Sequence, residues 1–182
     1  WDILSGHVPI GNHVLFFDDN GQHAGMTCAE FLAETDCTLE YLSPEMMMAP
    51  DIGGTNHPAY LRSLYNNNVS ITLNQRLIGI QREDDGFSAT IFNEYTNTST
   101  ERRFDQIISD NGTLPADELY FDLKKDSINL GEVDQPALLG GQPQGIKSNP
   151  DGKYQLFRIG DAVTSRNIHA SIYDALRLAK DL

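Results

Sequence analysis

His13-Val14-Leu15-Phe16-Phe17-Asp18-Asp19-Asn20-Gly21-Gln22-His23-Ala24-Gly25 is the stretch that decides the fold. Its first five residues are short, apolar and aromatic, as in a buried strand, and they break into turn formers at Asp18-Asp19-Asn20-Gly21. Ala24, Cys28, Phe31 and Leu32 then recur at i, i+4, i+7 and i+8, which predicts an amphipathic helix from about Ala24 to Glu34. Thr38-Leu39-Glu40-Tyr41-Leu42 reads as a second strand, closed by Ser43-Pro44. Strand, helix and strand over roughly thirty residues form a βαβ unit, and right-handed crossover geometry makes its strands parallel.

The same pattern continues outward. Gly53-Gly54 and Asn56 precede Pro58 at a first helical position, and Leu61, Leu64 and Tyr65 supply an apolar stripe that stops at Asn66-Asn67-Asn68. From there the texture is β: Val69 to Leu73 as a third parallel strand, Arg76 to Arg82 and Phe87 to Tyr95 as an antiparallel meander, and Phe104 to Ile108 as a further strand ending at Asp110-Asn111-Gly112. Beyond Leu114, four prolines and Gly140-Gly141 predict an extended, loop-rich crossing. A last strand, Tyr154 to Ile159, leads through Gly160-Asp161 into a helix striped by Ile168, Ile172, Ala175, Leu176 and Ala179. That stripe needs a neighbour. Self-association into a homo-oligomer and folding back on the sheet are the two expectations. At the other end, Trp1-Asp2-Ile3-Leu4 reads as the end of a helix already under way, in a chain that begins mid-protein.

Thirteen Lys and Arg stand against 26 Asp and Glu, a net charge of −13, and this field repels phosphate backbones and anionic lipid alike. Nucleic acid and membrane are therefore not expected partners. No apolar run approaches the roughly eighteen residues that span a bilayer. Cys28 and Cys37 alone, without a CxxC pair, argue against a metal or cluster site. Asn68, Asn97 and Asn111 each open an N-x-[ST] triplet, but nothing resembling a signal peptide precedes them, and the expected compartment is cytoplasmic.

A strand that runs through a glycine-bearing loop into a helix presents backbone N–H groups and the positive end of the helix dipole to an anion. Dinucleotide-binding loops hold pyrophosphate this way with G-x-G-x-x-G. Here the aligned residues are Asn20 to Gly25, so only the third glycine survives: Asn20 tolerates a left-handed turn, and Gln22 carries a side chain where phosphate would approach. Backbone groups of Asn20, Gly21, Gln22 and Gly25 are the expected contacts to ADP or NAD(H); the competing expectation is a βαβ unit that binds no nucleotide. Glu45 is the one candidate for a ribose-binding acid, or else a solvated loop acid. Met46-Met47-Met48 and His57 have bland readings as packing and a helix terminus beside sharper ones as ligand contacts. No histidine, His169 included, has a partner at the spacing acid–base catalysis needs.

Three features stand in fixed order: the strand–loop–helix at Val14 to Ala33, Gly112-Thr113-Leu114-Pro115-Ala116 after a strand, and Ile159-Gly160-Asp161-Ala162 before a helix. This order resembles the flavoprotein reductases in which an NAD(P)H-type domain is inserted into an FAD-type domain. Gly112 to Ala116 is similar to their G-x-x-P-N crossing, with Ala116 departing from Asn, and Gly160-Asp161 to their G-D motif. More narrowly, Asp18 to Gly25, Gly53-Gly54-Thr55-Asn56-His57, Arg158 to Ala162 and Arg166-Asn167-Ile168-His169-Ala170 resemble the trimethylamine dehydrogenase-like branch of the Old Yellow Enzyme family, which includes N-methylproline demethylases and 2,4-dienoyl-CoA reductases. The resemblance implies an α/β fold, with a Rossmann-like parallel sheet, an antiparallel β-meander and a return segment of an FAD-type domain. It implies a linker at 1–10, the NAD(P)H-type domain at 11–113, a crossing at 114–153, and the last strand and helix of an FAD- or ADP-type domain at 154–182. It also implies an N-terminal barrel of the same protein, absent from this sequence, that carries FMN and a 4Fe–4S cluster and oxidises a small N-methylated amine. This part would then be a degenerate dinucleotide domain with no catalysis of its own, Gly160 and Asp161 being half a flavin site. A nucleotide-free structural or electron-transfer docking module, and the NADPH domain of a dienoyl-CoA reductase, are the alternatives.

Overall fold

The computed structural model describes residues 1–180, so the last two positions of the expected 154–182 segment lie outside the described residues. The chain divides into two compact units, Trp1–Gly112 and Thr113–Leu182.

In the first unit, strands β1 (His13–Asp18), β2 (Thr38–Leu42) and β3 (Ser70–Thr72) are parallel and are joined through helices α1 (His23–Ala33) and α2 (His57–Asn66). Strands β4 (Gln75–Glu83), β5 (Gly86–Asn93) and β6 (Thr98–Phe104) form a separate antiparallel sheet, and β7 (Gln106–Asp110) returns to lie parallel to β1. The parallel sheet has the order β3-β2-β1-β7. Val14 and Phe16 of β1, with Leu39 and Tyr41 of β2, pack with Met26, Ala29 and Leu32 of α1 and Leu64 of α2. Leu15 and Phe17, with Leu42, pack with Ala89, Ile91 and Phe104 of the meander. β1 is thus buried on both faces, and this is why it reads as a continuous apolar run instead of an alternation.

The mixed α/β class expected from the sequence is the one observed, while several local expectations need correction. The buried face of α1 is Gly25, Met26, Ala29, Leu32 and Ala33, rotated by about one position from the stripe at Ala24, Cys28 and Phe31. Small residues on that face let the helix lie close over the strands, and apolar count alone does not show this. Tyr65 of α2 is exposed, and Leu64 alone is buried there. Phe104 ends β6 and does not open the next strand, which starts at Gln106. The sequence Thr98-Ser-Thr-Glu-Arg-Arg gives no apolar signal. β6 forms because the hairpin register pairs Asn93 with Thr98 and Phe87 with Phe104, and because Arg102 meets the buried carboxylate of Glu40 on β2. Trp1 to Gly6 make a single turn, with the Ser5 N–H donating to the Trp1 carbonyl (2.9 Å).

The second unit holds helices α3 (Glu118–Lys124), α4 (Gln135–Gly140) and α5 (Ile168–Ala179), two of them inside the stretch expected to be loop. The expected strand Tyr154 to Ile159 is reduced to one parallel bridge between Tyr154 and Ser127. A strand exists only where a neighbour takes its hydrogen bonds, and here a side chain does much of that work. Buried Asn129 accepts from the Leu156 N–H (2.9 Å) and donates to the Leu156 carbonyl (2.8 Å). Arg158 lies over the rings of Tyr120 and Phe121 and donates to Asp117 Oδ2 (2.6 Å). The stripe on α5 is not covered: Ile168 is 76% exposed, and Ile172 and Leu176 are each 61% exposed.

Leu64→Ala removes a side chain with no exposed surface, and a loss of about 2–5 kcal/mol is expected in the first unit. Asn129→Ala orphans both backbone groups of Leu156 and should cost the second unit about 1–3 kcal/mol. Hydrogen exchange under native conditions, read separately for amides of each unit, measures both.

Candidate functional site at the carboxyl ends of β1 and β7

The strand order β3-β2-β1-β7 reverses direction across β1. In an open parallel sheet, the crevice beyond the carboxyl ends at such a reversal is where ligands bind. The residues there are Asp18 to Gln22 after β1 and Asp110 to Gly112 after β7, with Asp18 and Asp110 in register.

Asp18 has no exposed surface. Its Oδ1 accepts the backbone N–H groups of Asn20 (3.0 Å) and Gly21 (2.7 Å), and its Oδ2 accepts the Tyr41 hydroxyl (2.6 Å). Burial, and then the Asp18 charge beside it, hold the Tyr41 phenol well above its usual range, so it stays a neutral donor. On the neighbouring strand, Asp110 accepts from Asn20 Nδ2 (3.3 Å to Oδ2) and from the Gly112 N–H (3.1 Å). The Asp110 carbonyl accepts from the Asp19 N–H (3.0 Å). Gly25, in the first turn of α1, sits directly on both acids: a Cβ there would lie 3.0 Å from Asp110 Oδ2 and 3.3 Å from Asp18 Oδ1. The third glycine therefore has a packing reason, which is to bring the positive end of the helix onto two carboxylates.

The left-handed turn falls on Gly21 (φ +70°) and not on Asn20, whose side chain instead reaches Asp110. Gly21 is also covered, since a Cβ would come within 2.8 Å of Pro50 Cδ, and its carbonyl accepts from the Asp51 N–H (3.2 Å). Gln22 is the half-buried N-cap of α1, with extended backbone and no side-chain cap. The loop after β2 thus folds over the loop after β1. Within it, Met48 and Ala49 are core, Met46 and Met47 are exposed, and His57 Nε2 donates to the Met48 carbonyl (2.8 Å). Glu45 is exposed, with its backbone carbonyl taken by the Asn74 N–H.

Gly112 is exposed with φ +78°, at the boundary of the two units. In the second unit, Gly160 is buried with φ +58°, and its N–H donates to Asp174 Oδ2 (3.1 Å). A hydrogen bond from Arg166 is the main cause holding the Asp174 carboxyl below its usual range. Asp161, next to that fixed glycine, is exposed. Burial pushes the Cys28 thiol up, and among the described residues no group of three or more His, Cys, Asp or Glu side chains is placed to hold a metal ion. No described helix is long and apolar enough to cross a membrane.

Asp18, Tyr41, Asp110 and Asp174 were not singled out from the sequence. The pattern Asp-x-Asn-Gly after a strand does signal a side chain that accepts from its own turn. The register that sets Asp110 beside Asp18 has no local signal.

No protein-family model matches the chain. A probable N-methylproline demethylase of Rhizobium meliloti (strain 1021) is 44% identical over 182 residues, covering 100% of this chain and 27% of the relative. An N,N-dimethylglycine/sarcosine dehydrogenase of Chromohalobacter salexigens is 42% identical over 185 residues, again covering 100% of this chain and 27% of the relative. The chain is homologous to one segment of these oxidoreductases. Among solved structures, histamine dehydrogenase from Rhizobium sp. 4-9 superimposes with a TM-score of 0.67 at 19% identity, over 97% of this chain and 24% of that one. A 6-hydroxypseudooxynicotine amine oxidase from Pseudomonas geniculata N1 gives 0.68 at 19%, over 95% of this chain and 22% of that one. At that identity the likeness is one of fold, and it is the fold that the sequence resemblance implies. The chain spans about a quarter of the length of the relatives it matches.

Tyr41→Phe removes one of three donors to a buried carboxylate and should cost about 1–3 kcal/mol. Because the folded-state phenol titrates above its ordinary value of 10.0, the native state prefers the protonated form. Its contribution is complete below pH 10 and is lost above it, by about 1.4 kcal/mol per pH unit. Urea unfolding from pH 9 to 11.5 should therefore show a steeper loss in the wild type than in Tyr41→Phe.

Proposed function

We propose that the chain is a lobe of a flavin-dependent oxidoreductase that oxidises a small N-methylated amine, with the reacting groups elsewhere in that larger protein. The observation that carries this is the identity of 44% and 42% over the whole chain with two relatives whose names share N-methylated amino acids as substrates. Two-electron oxidation of an N-methyl group gives an iminium that water converts to formaldehyde and the demethylated amine. A flavin bound in such a protein supplies the electron acceptor. The residues of this chain serve as scaffold. The turn at Gly160-Asp161, fixed by Asp174, offers one exposed carboxylate to the hydroxyl groups of a flavin nucleotide, the other half of that site being supplied by the rest of the protein.

The exposed face of Ile168, Ile172 and Leu176 favours a second and compatible reading, in which the unit from Thr113 is a structural or docking module.

The test is made on the full-length protein that carries this chain, with N-methylproline, sarcosine and N,N-dimethylglycine offered together with an artificial electron acceptor. Formaldehyde release in step with acceptor reduction is expected for at least one of the three. Failure with all three, together with NADPH-dependent reduction of an enoyl substrate, would move the protein to the alkene reductases.

A further inference from the structure

We propose that Asp18 is a built-in anion which takes the position a dinucleotide pyrophosphate would need, so that the crevice beyond β1 and β7 is closed to NAD(H), NADP(H) and ADP. The residues present do not fit a pyrophosphate. The amides of Asn20 and Gly21, two of the four donors expected of such a loop, are already spent on Asp18 Oδ1 at 3.0 and 2.7 Å. The other carboxylate oxygen is satisfied by Tyr41, whose phenol burial keeps it protonated. Gly25 brings the first turn of α1 within van der Waals reach of this carboxylate, so the helix dipole acts on Asp18 in place of a ligand. Among the described residues Asp18 has no cationic partner, so loop amides, helix end and phenol are what stabilise its charge.

Two further features close the crevice. Asp110 lies in register beside Asp18, and a phosphate entering there would meet a second negative charge. Pro50 lies on Gly21, where the backbone of a nucleotide-binding loop must stay open to its ligand. The turn is thus held by the chain's own groups, Asp18 within it and Pro50 against it. This inference concerns only these loop residues and does not depend on which substrate the larger protein oxidises.

Chemical rescue in the intact protein tests it, using inorganic pyrophosphate and formate as probes, with titration calorimetry and thermal melts in phosphate-free buffer. Wild type is expected to show no heat with pyrophosphate at millimolar concentration, and no shift of its melting midpoint with either probe. Asp18→Gly empties the anion position. Its midpoint should fall, millimolar formate or pyrophosphate should raise it again, and pyrophosphate should bind at least tenfold more tightly than to wild type. Asp18→Asn keeps the volume and removes the charge, so its midpoint should fall by at least about 3 °C with no response to either probe. Pyrophosphate affinity in folded Asp18→Gly within tenfold of wild type, or an Asp18→Asn midpoint equal to that of wild type, would overturn the proposal. Should Asp18→Gly fail to fold, the Asp18→Asn midpoint and the wild-type titration decide it.

Discussion

A carboxylate without exposed surface sits at the end of the central strand, and the surrounding structure is arranged to supply donors to both its oxygens. Burying an ionised acid is expensive unless every lone pair finds a donor. Asp18 finds two amides in its own turn and a phenol on the next strand, and the start of α1 lies over it. Each of these fixes something larger. The amides set the shape of the loop, Tyr41 ties β2 to β1, and the approach of Gly25 sets the height of α1 above the sheet.

From that point the first unit follows as a sheet covered on both faces. Alternation along β1 sends Val14 and Phe16 to the helices and Leu15 and Phe17 to the meander, so neither layer is dispensable to the strand. Glu40, charged and placed between the layers, is answered by Arg102 from β6 and by the Thr72 hydroxyl (3.0 Å). This polar link helps explain why a strand as hydrophilic as β6 is held in one register.

What could be read from residues alone was whatever short-range chemistry sets. The βαβ unit was legible because apolar runs, turn formers and helical spacing all occur within neighbouring residues, and β2 falls at Thr38–Leu42 as expected. β6 was missed because its reasons to exist are its pairing with β5 and one ion pair across the layers. The segment after Lys153 has a strand's composition, yet it lacks a continuous strand partner among the described residues and is held by the Asn129 side chain instead. At the candidate site, the loss of two glycines was visible from the start. The carboxylate that takes up the loop amides was not, since it required knowing that Asp18 turns back into its own loop and that β7 brings Asp110 alongside.

Gly25 has a bearing on how such sequences are compared. It is held by the closeness of a helix to two acids, a constraint that survives whether or not any cofactor is ever present. A lineage that lost nucleotide binding would go on preserving this position, and a motif search would score it as a vestige of recognition when it is a fixture of architecture. The residue three places upstream, where a side chain is now tolerated, is the better witness to whether a phosphate still visits.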